Sequence, residues 1–139
     1  MTAGGVRILL AEDNDGDVFL VRRALEKQGL RCQLMVAHNG EEALKMLDTA
    51  EDGPPADAPR LILLDLNLPR VDGGEILAHL RRTHAFSAIP VIVLTSSDSP
   101  QDRDLAMSLG ANAYFRKPAD LRSFMLLGQV IQDALAERW

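Results

Sequence analysis

The sequence predicts an α/β domain: a five-stranded parallel sheet, doubly wound, with five helices alternating with the strands. Three observations carry this. The run Leu61-Ile62-Leu63-Leu64 leads straight into Asp65, and the chain then turns at Leu68-Pro69. A short apolar run bounded by turn signals reads as a strand buried on both faces, as in parallel sheets. A second such run, Val91-Ile92-Val93-Leu94, ends in Thr95. Finally, strand-like and helix-like segments alternate along the whole chain, and right-handed crossovers then bring every strand's carboxyl end to one edge.

Val6 to Ala11 reads as the first strand, broken by Glu12-Asp13-Asn14-Asp15-Gly16-Asp17. From Asp17, residues Val18, Val21 and Leu25 recur at helical spacing, and Gly29 suits a left-handed cap. Arg31 to Ala37 places Cys32, Leu34 and Val36 on one face of a second, less apolar strand near the sheet edge. Asn39 with Glu42 makes a capping box for a helix carrying Ala43, Leu44 and Leu47. From Asp48 to Arg60 periodicity is lost, and Gly53-Pro54-Pro55 with Pro59 predicts a surface loop.

After the Leu61 to Asp65 strand, Asp72-Gly73-Gly74 opens a helix with Ile76, Leu77 and Leu80. The Ile89 to Thr95 strand tolerates Pro90 at its start. Ser99-Pro100-Gln101-Asp102 starts a helix that runs to about Leu109 and closes at Gly110. Ala111 to Arg116 gives the fifth strand, ended by Lys117-Pro118. Asp120 to Glu137 reads as one last helix, with Leu121, Phe124, Leu127 and Ile131 on its core face.

With 139 residues, a single domain spanning 1–139 and no separate output domain is expected. The net charge of −5 argues against a nucleic-acid or membrane surface, which needs clustered Lys and Arg. Cys32 is the one cysteine, so no internal disulfide and no Cys-rich metal site can form. Neither a signal peptide nor a spanning segment fits the amino-terminal residues, which points to the cytoplasm.

Each strand end carries polar residues: Glu12 and Asp13, Asp65, Thr95 and Lys117. Gathered at one edge, the carboxylates of Glu12, Asp13 and Asp65 raise one another's pKa unless a cation neutralises them. Oxygen-only ligands suit Mg²⁺, which keeps several waters and commonly accompanies phosphate. An ion held there could bridge Asp65 to a phosphoryl group while the carboxylate attacks phosphorus in line. Lys117 would meet one phosphoryl oxygen and Thr95 another.

On these residues the chain resembles, over roughly residues 5 to 137, a response-regulator receiver domain (CheY-like), a flavodoxin-like (βα)5 module of two-component signalling. The resemblance implies that Glu12-Asp13 is the acidic pair, that Asp65 is the phosphoacceptor, and that Asn67 gives its backbone carbonyl to the metal. It also implies that Thr95 is the switch hydroxyl, Tyr114 the switch aromatic, and Lys117-Pro118 the terminal pair, joined in the family by a cis bond. Glu-Asp-Asn-x-x-Asp, Leu-Asp-Leu-Asn-Leu-Pro-Arg, Leu-Gly-Ala-Asn-Ala-Tyr and a Trp near the end are similar to the stand-alone regulators of phytochrome-type histidine kinases. The implied partner is a sensor histidine kinase or a histidine phosphotransfer protein. Chemistry would be limited to phosphotransfer to, and hydrolysis from, Asp65.

Two other classes fit these residues less well. A phosphatase or transferase of the haloacid dehalogenase type would want a second Asp where Asn67 stands, and a cap insertion besides. A receiver-like module that binds partners without phosphorylation would have lost an acidic or Lys position, and none is lost here. In the last helix Met125, Leu126 and Val130 exceed what one core face needs, and with Trp139 they predict a homodimer through this helix. Phosphorylation is expected to draw Thr95 toward the phosphoryl group and let Tyr114 turn inward, reshaping the face of the fourth helix, fifth strand and fifth helix.

Overall fold

The computed structural model describes residues 5–136. Strands β1 (Val6–Ala11), β2 (Cys32–Ala37), β3 (Leu61–Leu64), β4 (Val91–Thr95) and β5 (Ala113–Arg116) form one parallel sheet in the order β2-β1-β3-β4-β5. The less apolar β2 lies at an edge, as expected, and the fully buried β3 lies at the centre. Helices α1 (Asp15–Gln28), α2 (Gly40–Asp52), α3 (Gly73–Arg82) and α4 (Pro100–Ser108) alternate with the strands, and α5 (Leu121–Phe124) and α6 (Leu127–Leu135) follow β5.

Successive residues of a strand face opposite sides, so each apolar strand feeds two cores. Leu9, Ile62, Leu64 and Val93 pack with Leu47 of α2, Ile76, Leu77 and Leu80 of α3, and Ala106 of α4. On the other face Ile8, Leu10, Leu63 and Leu94 meet Val21 and Leu25 of α1, Phe124 of α5 and Ile131 of α6. Among the described residues no helix is long and apolar enough to cross a membrane.

The caps expected at Asn39 and Ser99 form, and Asn14 and Asp72 cap α1 and α3 in the same way, α1 starting two residues before the expected Asp17. The side chains of Asn14, Asn39, Asp72 and Ser99 each accept a hydrogen bond from the backbone N–H three residues on. Glu42 also reaches back to the His38 N–H, at 2.9 Å. Helix α2 runs to Asp52, into the stretch expected to be loop. Its last turn, Asp48-Thr49-Ala50-Glu51-Asp52, is mostly exposed and so shows no apolar period; Gly53-Pro54 then stops it. A single 3₁₀ turn, Pro55–Asp57, lies in the remaining loop.

The last helix is the main departure. It forms two pieces joined at Met125 and Leu126, where Gly128 and Gln129 donate to carbonyls three residues back. This 3₁₀-like tightening changes the rotation per residue and shifts the buried face. Phe124, Leu127 and Ile131 reach the core as expected, but Leu121 is 59% exposed. Of the three surplus residues only Leu126 is exposed, at 63%, while Met125 and Val130 are half-buried against the α1-side core. Trp139 and the expected end at Glu137 lie outside the described residues.

Arg81 ties together the connections that lead into β4 and β5. Its guanidinium donates to the carbonyls of Gly110 (2.7 Å), Ile89 (2.8 Å) and Phe86 (3.3 Å) and to Asn112 Oδ1 (3.1 Å). Asn112 Oδ1 in turn accepts the Val91 N–H at the start of β4.

Candidate functional site

Glu12 and Asp65 become neighbours because the β1–β3 register pairs Ala11 with Leu64 and each strand then runs one residue further. The ladder continues through them: the Asp65 N–H donates to Ala11 O (3.1 Å), and the Glu12 N–H donates to Ala37 O (2.9 Å). Both carboxylates are buried, Glu12 at 0% and Asp65 at 6% exposure, while Asp13 beside them is exposed. One oxygen from each of Glu12, Asp13 and Asp65 falls within 4.8 Å of the others, the spacing of a cation site.

Helix α3 presses on the backbone just after Asp65. The Gly73 N–H donates to Leu66 O, and a Cβ at Gly73 would lie 2.4 Å from Asp65 O. Only glycine lets that helix start so close to the strand end. The turn between them, Leu68-Pro69-Arg70, places Arg70 in the left-handed region at φ 73°. The Asn67 N–H closes the loop onto Asp65 Oδ1, at 3.0 Å, which orients the carboxylate.

Lys117 arrives from the end of β5, where its N–H donates to Thr95 O at 2.7 Å. Its Nζ lies 2.6 Å from Glu12 Oε1, 2.8 Å from Asp17 Oδ2 and 3.0 Å from Asp65 Oδ2. Burial alone would depress Lys117, but the hydrogen bond to Asp17, the close contact with Glu12 and the charge of Asp65 outweigh it and hold the ammonium above the ordinary lysine range. Burial pushes the Glu12 carboxyl up to about 7, against the pull of Lys117 and with help from Asp65. The contact with Glu12 is close but poorly aligned, so Glu12 Oε1 remains a buried oxygen without a properly directed donor. A divalent cation would neutralise that excess of negative charge, and an all-oxygen donor set suits Mg²⁺. The residues therefore fit the ion that the sequence implies. The Lys117–Pro118 peptide is trans: no cis bond occurs among the described residues. Trans is the isomer that an X–Pro amide favours by about 0.5–1 kcal/mol.

Thr95 is fully buried at the end of β4, and its Oγ1 accepts the Ser97 N–H at 3.3 Å. Tyr114 sits beside Val93 in register, half-buried, and its hydroxyl donates to Ser97 O at 3.0 Å. The Arg103 guanidinium lies 5.7 Å from the centre of the Tyr114 ring. The inward turn expected of Tyr114 thus starts from a ring already held against the β4–α4 loop. The structure brings Glu12, Asp13, Asp65 and Lys117 into one cluster, and Ser97 links Thr95 to Tyr114. Sequence reasoning missed Asp17 as a partner of Lys117, and it missed Ser97. The signal for Asp17 was present in the loop of four carboxylates at 12, 13, 15 and 17, which needs a counter-charge.

A doubly wound parallel sheet with acids, a buried hydroxyl and a lysine gathered at its carboxyl edge defines a receiver module of two-component signalling. The chain belongs to that family: the response regulator receiver domain matches residues 8–127. It is 39% identical over 132 residues to the probable methanogenesis regulatory protein FilR2 of Methanothrix harundinacea, covering 95% of this chain and 82% of that one. Response regulator Rcp1 of Synechocystis is 34% identical over 126 residues, covering 91% and 86%. Among solved structures, the phosphorylated cyanobacterial phytochrome response regulator RcpA superposes with a TM-score of 0.83 at 32% identity, covering 97% of this chain and 96% of that one. The Mn²⁺-bound form of Rcp1 superposes at 0.80 with 34% identity, covering 92% of each.

Proposed function

We propose that Asp65 is the phosphoacceptor of this receiver. The carrying observation is that Asp65 is buried at a strand end, with one oxygen on Lys117 and the other on the Asn67 N–H. In the transfer, an Asp65 oxygen attacks phosphorus in line, the nitrogen–phosphorus bond of a donor phosphohistidine breaks, and the imidazole leaves with the electron pair and takes up a proton. Glu12, Asp13, Asp65 and the Asn67 carbonyl would hold Mg²⁺. That ion supplies charge neutralisation for the phosphoryl oxygens. Lys117 meets one of those oxygens and Thr95 another. The Mn²⁺-bound relative supports a divalent ion at the acidic cluster.

The expected partner is a sensor histidine kinase, of the phytochrome type by likeness to RcpA, or a histidine phosphotransfer protein, and the exchange belongs to the cytoplasm. Output follows from Thr95. When its hydroxyl turns to the phosphoryl group, the Ser97 N–H loses its acceptor, and the loop carrying the Tyr114 contact and α4 shifts. Nuclear magnetic resonance should show amide shifts at Ser97 and Tyr114 on phosphorylation; shifts confined to residues around Asp13 and Asp65 would refute this route. We also propose a homodimer through α5 and α6.

The acceptor is tested by intact-mass measurement after incubation with a small phosphodonor, with and without Mg²⁺. One phosphoryl group should be added only when Mg²⁺ is present, and none to Asp65→Asn. Equal labelling of that variant would overturn the assignment.

A further inference from the structure

The ammonium of Lys117 has three N–H donors and three carboxylate neighbours, Glu12, Asp17 and Asp65. On the reading above, two of these neighbours change during the reaction. Asp65 becomes an acyl phosphate, so its carboxylate charge gives way to charge on the phosphoryl oxygens, while Glu12 belongs to the group that can hold a cation. Asp17 belongs to neither set. Its Oδ2 accepts from Lys117 Nζ at 2.8 Å, shorter than the 3.0 Å bond to Asp65.

Asp17 is also rigidly mounted. It lies in the first turn of α1, where its own N–H is held by the Asn14 cap at 3.0 Å, and the next residue, Val18, is buried in the core. The Lys117 stem, by contrast, is long and flexible. We propose that Asp17 is a positioning residue for phosphoryl transfer, the fixed anchor of Lys117 Nζ throughout the cycle. Phosphorylation of Asp65 frees one N–H of the ammonium, and the bond to Asp17 keeps that N–H aimed at the new phosphoryl oxygen. A carboxylate so near an incoming phosphate would repel it if bare, so the arrangement works because the ammonium lies on Asp17.

The test uses the full chain, Mg²⁺ at saturation and acetyl phosphate as donor. Asp17→Ala should lower the rate at saturating donor about tenfold while leaving the half-saturating donor concentration nearly unchanged, the effect expected of a misplaced electrostatic group. Asp17→Asn, which keeps an acceptor oxygen, should recover most of the rate, and Asp17→Leu should reproduce the loss. In a Lys117→Ala background, Asp17→Ala should add nothing further, because Asp17 acts through Lys117. Additive losses, or a wild-type rate for both Asp17→Ala and Asp17→Leu, would overturn the proposal. If Asp65 is labelled in wild type in that same assay, such a result removes the role of Asp17 alone; a wild-type chain that takes no label removes the acceptor assignment as well.

Discussion

Single residues here are held by bonds that differ in how visible they are along the chain. Asp65, Glu12 and Thr95 were legible because each ends an apolar run, so the strand that buries the run also fixes where the polar residue lies. Arg81 was not legible: it follows Leu80 at the end of a helix and reads as solvated, yet its guanidinium collects carbonyls from the two connections that precede β4 and β5, 5 to 29 residues away in sequence. Removing it leaves half-buried carbonyls without donors. Arg81→Ala should therefore cost about 2–4 kcal/mol in urea unfolding. Arg81→Lys should restore only part, since an ammonium cannot span the same fork. A loss below about 0.5 kcal/mol for Arg81→Ala, the range of an ordinary surface substitution, would show that water replaces these bonds freely.

At the scale of elements, the strands and helix starts were predictable because their signals are local. Caps three residues apart and apolar runs do not depend on what lies elsewhere. The end of α2 and the break between α5 and α6 escaped for the opposite reason. The first is an exposed helical turn with no apolar period, and the second is shaped by packing on α1. There a Cβ at Gly128 would lie 2.7 Å from Ala24 O, so α6 must come in close at that point. Gly73 makes the corresponding demand near the site. Gly73→Ala should destabilise the fold by about 1–3 kcal/mol, as overpacking does, and should slow phosphorylation because the displaced backbone is that of Asp65. Thermal unfolding and phosphodonor kinetics on the same variant check both halves; a stability loss with no change in rate would show that Asp65 does not follow α3.

For the whole molecule, the two cores are filled from one sheet, and the carboxyl edge is left to chemistry. The last two helices and their junction expose two large apolar residues, Leu121 and Leu126, by 59% and 63%. The break that turned Leu121 outward supplies a face that a continuous helix with Leu121 inside would lack. Burying one such side chain recovers about 1.5–3 kcal/mol before ordering costs, and closed two-fold pairs are the commonest soluble assemblies. Sedimentation at tens of micromolar should thus find a dimer that Leu126→Glu dissociates without unfolding. A monomer in both phosphorylation states would end that reading.

The proposed switch depends on Asp65 carrying the phosphoryl group, and the most direct measurement is to trap the acyl phosphate chemically. Borohydride reduces an acyl phosphate to an alcohol, turning the modified aspartate into homoserine, which peptide mass spectrometry can place in the sequence. After incubation with Mg²⁺ and acetyl phosphate, homoserine should appear at position 65 and at no other acid of the cluster. Homoserine at position 12, 13 or 17 instead, with residue 65 still aspartate, would overturn Asp65 as the acceptor.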